Sequence, residues 1–308
     1  MTSLDPTTLT VSEGPGAPQA DKGVVVRGRQ SVLRKTFSSK RAWVGAITIA
    51  VIVLWAILGP LFAPWNATDS DVLAFGKGPS GDHWFGTNDI GQDVYAQTLV
   101  GLQKSLVIGF IAGPAATLIA GFVGAISGYF GGVWDRVIIW VIDLMLVIPS
   151  FYILVLVSPS FKRLSWLALV IGIAVFSWMV MARVIRGQTM SLRERDYVKA
   201  ARYMGVPALT IVRRHIIPNV ASLLIIDATL GVGAAILTES TLSFFGFGIQ
   251  APDVSLGTLL AAGSAAAVTR TWLFIFPAAV LVITVLATSL LGDALRDAID
   301  PTSGANRD

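Results

Sequence analysis

The sequence predicts an all-α polytopic membrane protein with about six transmembrane helices, and three observations carry that expectation. Of its 308 residues, 54% are hydrophobic and only 14% are charged, whereas an ordinary soluble domain carries about 25% charged residues. The apolar residues gather in uninterrupted runs. Several reach the roughly 20 residues that a helix needs to cross about 30 Å of hydrocarbon at about 1.5 Å per residue. The basic residues crowd beside those runs, at Lys22 to Arg41 and at Arg183 to Arg214, as the positive-inside rule requires.

The first run, Ala42–Ala63, follows a polar stretch rich in Gly, Pro and Ser. It is too long to be the apolar core of a cleavable signal peptide, so it reads as a retained first span, with residues 1–41 as a cytoplasmic tail without stable structure. The other spans are expected at Leu106–Ile126, Val137–Val157, Leu164–Val184, Val220–Leu237 and Trp272–Leu291. They divide the membrane region, residues 42–301, into an external loop at 64–103 and a cytoplasmic loop at 185–218, with a C-terminal tail at 302–308. Charge tests this topology. With both termini inside, the cytoplasmic segments hold 18 of the 23 basic residues, and only Lys77, Lys104, Lys162, Arg163 and Arg270 fall outside. An odd number of spans would strand a basic cluster on the wrong side.

Within the second span and its exit, Gly109 with Gly113 and Gly124 with Gly128 form two small-xxx-small pairs. Such spacing lets helix backbones approach closely where lipid offers no hydrophobic drive, and packing is preferred here over a pore role. Pro149 and Pro277 remove backbone donors and predict kinks in spans three and six. The external loop, rich in Gly, Asp and Pro, reads as a small ordered segment. No internal repeat is evident.

Several chemistries are excluded. The net charge is +4, but no basic aromatic sheet or recognition helix supports nucleic-acid binding. Without cysteine there is no disulfide and no thiolate site, and His83 and His215 lie too far apart in sequence to suggest a metal centre. No phosphate-binding loop or Ser–His–acid constellation is present. The chain therefore carries no catalytic residues, no metal and no cofactor of its own. If ATP powers it, another chain hydrolyses that ATP.

Three acids fall at or near membrane depth: Asp143, Asp227 and Glu239, the last beside Ser240. An ionised carboxylate at a helix centre costs about 2.5–3.5 kcal/mol on insertion scales, so each should face protein or water. As function they would line a translocation pathway, with Glu239 foremost. As structure they are polar glue between helices, the favoured reading, since no basic partner is evident within the spans. A proton-driven secondary transporter would use these acids, but it calls for an inverted repeat and broken midplane helices, and neither is evident.

The cytoplasmic loop is richer. Ser191-Leu192-Arg193-Glu194 has the form of a capping box, which starts a helix at Leu192. Gly205 supplies a C-terminal stop, Pro207 starts a second short helix, and Pro218 ends it. A helix–turn–helix bearing Ala200, Ala201 and Gly205 can seat in another protein's groove. The alternative is a basic amphipathic connector lying on anionic lipid.

Tyr197-Val198-Lys199-Ala200-Ala201-Arg202-Tyr203-Met204-Gly205, followed by Val206, Pro207 and then Arg214-His215-Ile216-Ile217-Pro218-Asn219, resembles the EAA loop of ABC importer permeases. Lys199 stands where that family carries glutamate. His83-Trp84-Phe85-Gly86-Thr87 with Gly91-Gln92-Asp93, and Gly128 to Asp135 with Asp143 and Pro149, resemble the dipeptide and oligopeptide permeases of the C type. So do Glu239-Ser240-Thr241-Leu242-Ser243-Phe244-Phe245-Gly246-Phe247-Gly248, Phe276-Pro277, and Leu291 to Pro301. Gln92 departs from a usual arginine.

The resemblance implies a type I ABC importer permease fold in a bacterial cell membrane. It assigns ATPase coupling to Tyr197, Lys199 to Pro207 and Pro218. It further implies a second homologous permease, two cytoplasmic ATPase subunits holding ATP and Mg, and an extracytoplasmic peptide-binding protein, with membrane lipid around them. Members of this family also carry nickel, haem or glutathione.

Overall fold

A computed structural model of the chain describes residues 39–164 and 166–299. Of the tails expected at 1–41 and 302–308, residues 1–38 and all of 302–308 lie outside the described residues, as do the side chains of residues 159–165, whereas Lys40 and Arg41, read as tail, already belong to the first helix. The chain divides into two units, Met1–Ser31 and Val32–Asp308, and every described residue belongs to the second.

Eleven α-helices are described. They are α1 (Lys40–Phe62), α2 (Val94–Phe130), α3 (Gly132–Val147), α4 (Ser150–Leu164), α5 (Trp166–Ser177), α6 (Met179–Arg193), α7 (Asp196–Tyr203), α8 (Ala208–Ile211), α9 (Ile217–Phe244), α10 (Leu256–Ser264) and α11 (Trp272–Ile299). No strand forms among the described residues; two isolated bridges, Ser70 with Gln92 and Thr87 with Asp93, pin the segment before α2.

Four stretches are long and apolar enough to cross a membrane whole: α1, α2, the run Ala208–Phe244, and α11. Two more cross as bent pairs, α3 with α4 at 78° and α5 with α6 at 42°. Counting each pair once gives the expected six spans. The first of these bends meets the expectation of a kink at Pro149; the second was not evident in the sequence.

The first break has a clear cause. Pro149 lacks an N–H and crowds the preceding residue out of the helical region, and Ile148 sits at φ −92°, ψ 120°. The second break falls at Trp178, φ −78°, ψ −18°, with no proline or glycine to announce it. Pro277 does not interrupt α11. It lies in the second turn, where only the carbonyl of Leu273 loses its helical partner.

Helix α2 begins at Val94, twelve residues before the expected Leu106, so the loop expected at 64–103 is shorter. The Asp93 carboxylate accepts the Ala96 N–H at 2.8 Å and caps the helix. Gln97, Gln103 and Lys104 dilute the hydropathy of this first stretch but do not oppose helix.

The preceding segment is held without helices of its own. His83 Nδ1 lies 2.9 Å from Asp93 Oδ2, and its ring stacks on Trp65 at 5.0 Å. Phe85 stacks on Phe276 at 4.1 Å, and Trp272 Nε1 donates to the Thr87 carbonyl. Arg270 pairs with Asp89.

Both glycine pairs of α2 serve packing. A Cβ on Gly113 would stand 2.6 Å from the Gly231 carbonyl carbon of α9, and one on Gly109 would stand 2.6 Å from Ile236. Further along, Gly124 and Gly128 face the Ala182 and Arg186 carbonyls of α6 at 2.5 and 2.6 Å by the same measure. Helix α2 therefore holds α9 on its first half and α6 on its second.

Gly113→Leu should force α2 and α9 apart, at the cost of about 1–3 kcal/mol or more that overpacking brings. Denaturation of the detergent-purified protein should show a lowered midpoint for Gly113→Leu. Gly187→Ala, where a Cβ meets nothing within 4 Å, should leave it unmoved.

Candidate functional site

The segment from α6 to α9 departs from expectation at both ends. Ser191 lies inside α6, which runs on to Arg193, so no capping box forms there; the next helix starts at Asp196. Serine tolerates the last turn of an amphipathic helix already under way, and the local motif loses to it. Nor does Pro218 end a helix. Between Ile211 and Ile217 the chain takes a π-turn, Val212–Ile216, in which the Ile217 N–H bonds to the Val212 carbonyl. That wider turn accommodates the donor-free Pro218 at the start of α9, so α8 and α9 join into one helical run.

The centre of the segment follows its sequence signals. Gly205 has φ +77°. Its N–H bonds to the Arg202 carbonyl at 3.0 Å, and the Val206 N–H bonds to the Ala201 carbonyl at 3.1 Å. This is a complete Schellman motif, and its usual apolar contact is present because Ala201 and Val206 share a cluster with Val198, Ile211 and Tyr129. Pro207 precedes α8 with φ −57°, ψ 138°. Gly205 is needed for the positive φ, and a Cβ there would meet nothing within 4 Å.

Burial sorts the remaining residues into a seat and a tip. Val198 and Ala201 are buried, anchoring α7 to the end of α2. Tyr203, Met204 and Leu209 project outward, 88%, 75% and 58% exposed. Ala200, Arg202 and half-exposed Tyr197 flank them, and the Tyr197 ring lies 6.1 Å from His215. Lys199 is not left unpaired by its departure from the family glutamate: its Nζ lies 3.3 Å from Glu194 Oε2. Arg193 meets the same carboxylate at 3.3 Å and donates to the Tyr129 carbonyl at 3.2 Å. Hydrogen bonding from Lys199 and then its charge hold the Glu194 carboxyl below its ordinary 4.5, with Arg193 adding to both.

The three membrane-depth acids lie apart, each with its own partners. Asp143 pairs with Arg183 across α3 and α6, and both side chains are about half exposed. The expectation that no basic partner is available within the spans is therefore corrected; the two residues are 40 positions apart, beyond any helical spacing rule. Asp227 accepts from Thr117 at 2.6 Å. Glu239 is fully buried, accepting from Ser105 at 3.0 Å, Ser243 at 2.7 Å and Ser240 at 3.4 Å. Ser240 is 3% exposed and bonds within α9, while Glu239 joins α9 to α2 through Ser105 inside the bundle.

Sequence reasoning missed Arg186. Its guanidinium grips Asp135 through Nε at 2.5 Å and Nη2 at 2.6 Å, tying α3 to α6 with Ser127 as a third member. His83 and His215 lie in separate segments, and no group of three or more metal-binding side chains occurs among the described residues.

Comparison with known proteins adds kinship. Residues 120–303 match the model of the family described as binding-protein-dependent transport system inner membrane component. Residues 29–79 match the N-terminal transmembrane domain of oligopeptide transport permease C. The chain is 49% identical over 280 residues to the oligopeptide transport system permease protein OppC of Mycobacterium tuberculosis, covering 91% of this chain and 96% of that one. Identity to proteins of the same name is 36% in Bacillus subtilis and 37% in Haemophilus influenzae, covering 86% and 88% of each chain.

The Glu194 pairing has a pH signature with a definite sign. Because the folded carboxyl titrates below its ordinary value, its contribution is complete above about pH 4.5 and fades as pH falls further. Between pH 7 and 5, amide exchange in Asp196–Tyr203 should therefore show no change from this source. Lys199→Glu should speed that exchange by setting like charges opposite each other, and the double variant Glu194→Lys/Lys199→Glu should slow it again.

Proposed function

This chain belongs to the family of binding-protein-dependent transport system inner membrane components, and on that premise we propose that it is the permease subunit of an ATP-driven importer of short peptides. The observation that carries this reading is 49% identity, across 91% of the chain, to an oligopeptide permease. On this reading the chain forms half of a translocation pathway and a second related permease forms the other half. Two cytoplasmic ATPase subunits hold the ATP and its Mg, and an extracytoplasmic binding protein delivers the peptide. Both termini and the α7–α8 turn face the cytoplasm, in keeping with where the basic residues fall.

The tip formed by Tyr203, Met204 and Leu209 is the docking element. Three large apolar side chains exposed at and just before the start of the Ala208–Phe244 run, rimmed by Lys199 and Arg202, suit an interface in which a few apolar anchors dominate. Closure of the ATPases moves the tip, α6 and the run Ala208–Phe244 carry the movement into the bundle, and the spans exchange inward-open for outward-open. Nucleotide biases a two-state element.

In proteoliposomes containing the whole importer, peptide uptake should follow ATP and ignore an imposed proton gradient; uptake driven by the gradient alone would overturn the proposal. Leu209→Asp should cut uptake and ATPase stimulation by roughly tenfold or more, the factor that about 1.4 kcal/mol of lost docking energy produces, while insertion stays normal. Gly205→Val should do the same by forcing a β-branched residue into a left-handed conformation that costs about 1–2 kcal/mol. Unchanged uptake in both variants would remove the tip from the coupling role.

A further inference from the structure

The two bent spans and the Asp143–Arg183 pair coincide. Asp143 lies on the last turn and a half of α3, just before the break at Pro149, and Arg183 lies on the second turn of α6, just after the break at Trp178. Depth follows from the helices themselves. Arg193, at the end of α6, donates to the Tyr129 carbonyl near the end of α2, so the start of α3 and the end of α6 lie at one level. Asp143 is then roughly 16 Å along α3 from that level, and Arg183 roughly 15 Å along α6, so the pair lies well inside the two bent candidate spans.

A charged pair at that depth is expected to face the bundle interior or water, yet the side chains are 54% and 45% exposed on this chain. Freed backbone at membrane depth is likewise tolerated only where protein covers it or it lines a water-filled cavity. Two helix breaks and one half-exposed ion pair, all within the two bent spans, are accounted for together if this part of the molecule lines an aqueous passage. The neighbouring Asp135–Arg186 pair supplies the contrast. It is only 14% and 28% exposed, bidentate and backed by Ser127, so it is built for holding α3 to α6. Asp143 and Arg183 are not needed for that.

Resting on the permease reading above, we infer that Asp143 and Arg183 form a subsite in the passage for the charged ends of a peptide. The guanidinium takes the terminal carboxylate in the bidentate geometry that arginine favours. The carboxylate so released takes the α-ammonium. Between cargoes the two groups neutralise one another, which keeps an unpaired charge out of the membrane.

The test uses the complete importer in proteoliposomes with ATP, and compares uptake of trialanine with uptake of its C-terminal amide. Any preference of the binding protein is common to all variants and cancels in the ratio of the two. Arg183→Gln should lower the free-to-amide ratio by at least about tenfold, as expected when a charged hydrogen-bonding partner is removed, and Arg183→Lys should restore part of it. An unchanged ratio would overturn the subsite.

Should Arg183→Gln fail to assemble, the chain's lack of cysteine offers a second measurement. Val180→Cys lies one turn from Arg183 on the same face. A hydrophilic thiosulfonate should label it, and trialanine should slow that labelling during turnover. Labelling only by a lipid-soluble maleimide would place the face against lipid and overturn the proposal. Normal uptake by the unsubstituted importer with an unaltered ratio faults the subsite alone. No ATP-driven uptake by the unsubstituted importer removes the permease reading and the subsite with it.

Discussion

Lipid tails are as apolar as leucine, so burial of apolar side chains cannot drive the helices of this chain together. What brings them within reach is the missing Cβ atoms along α2. At Gly113 the backbone of α2 touches that of α9 at Gly231, and at Gly124 and Gly128 it touches that of α6. The same logic recurs where α1 meets α11 at Gly45, against the backbone of Ala287 to Leu291, and where α10 meets the start of α11 at Gly263. Because these contacts are made by backbone, they cannot be relaxed by a side-chain rotation, and they fix the spacing on which the polar contacts depend.

Those polar contacts are few and specific. Glu239 would be costly in hydrocarbon, and the structure surrounds it with the hydroxyls of Ser105, Ser240 and Ser243. Ser105 reaches it only because Gly109, one turn along α2, lets α9 lie close. Leu256 N–H also donates to Ser105 at 3.4 Å, so the start of α10 hangs from the same group. One buried carboxylate thereby orders parts of three helices. The two arginine–aspartate pairs of α3 and α6 divide their labour differently, one enclosed and one open.

The apolar runs made the number of spans legible, because a membrane imposes length on composition. Features fixed by one residue's backbone were legible too: the break at Pro149, the stop at Gly205, and the glycine spacing of α2. What escaped reading depends on context. Ser191 has the chemistry of a cap but sits in a helix begun twelve residues earlier, and Pro218 has the chemistry of a breaker but is absorbed by a π-turn. The start of α2 was hidden because Gln97, Gln103 and Lys104 lower the hydropathy of a segment that is nonetheless helical. The Asp143–Arg183 and Asp135–Arg186 pairs join positions 40 and 51 residues apart, and only the folded chain brings them together.

The π-turn at Val212–Ile216 has a mechanical consequence. By passing Pro218 without a break it makes Ala208–Phe244 a single run of 37 residues, about 55 Å long. Leu209 stands at one end, and Glu239 stands thirty residues on, about 45 Å away. Over that span a tilt of about 5° displaces one end relative to the other by about 4 Å, close to the rise of three helical residues. With its fulcrum where Gly231 crosses Gly113, the stiff shaft has an arm of about 33 Å to Leu209 and about 12 Å to Glu239, so a wide swing of the tip becomes a shift of only about 1 Å at the buried carboxylate, a finely geared movement.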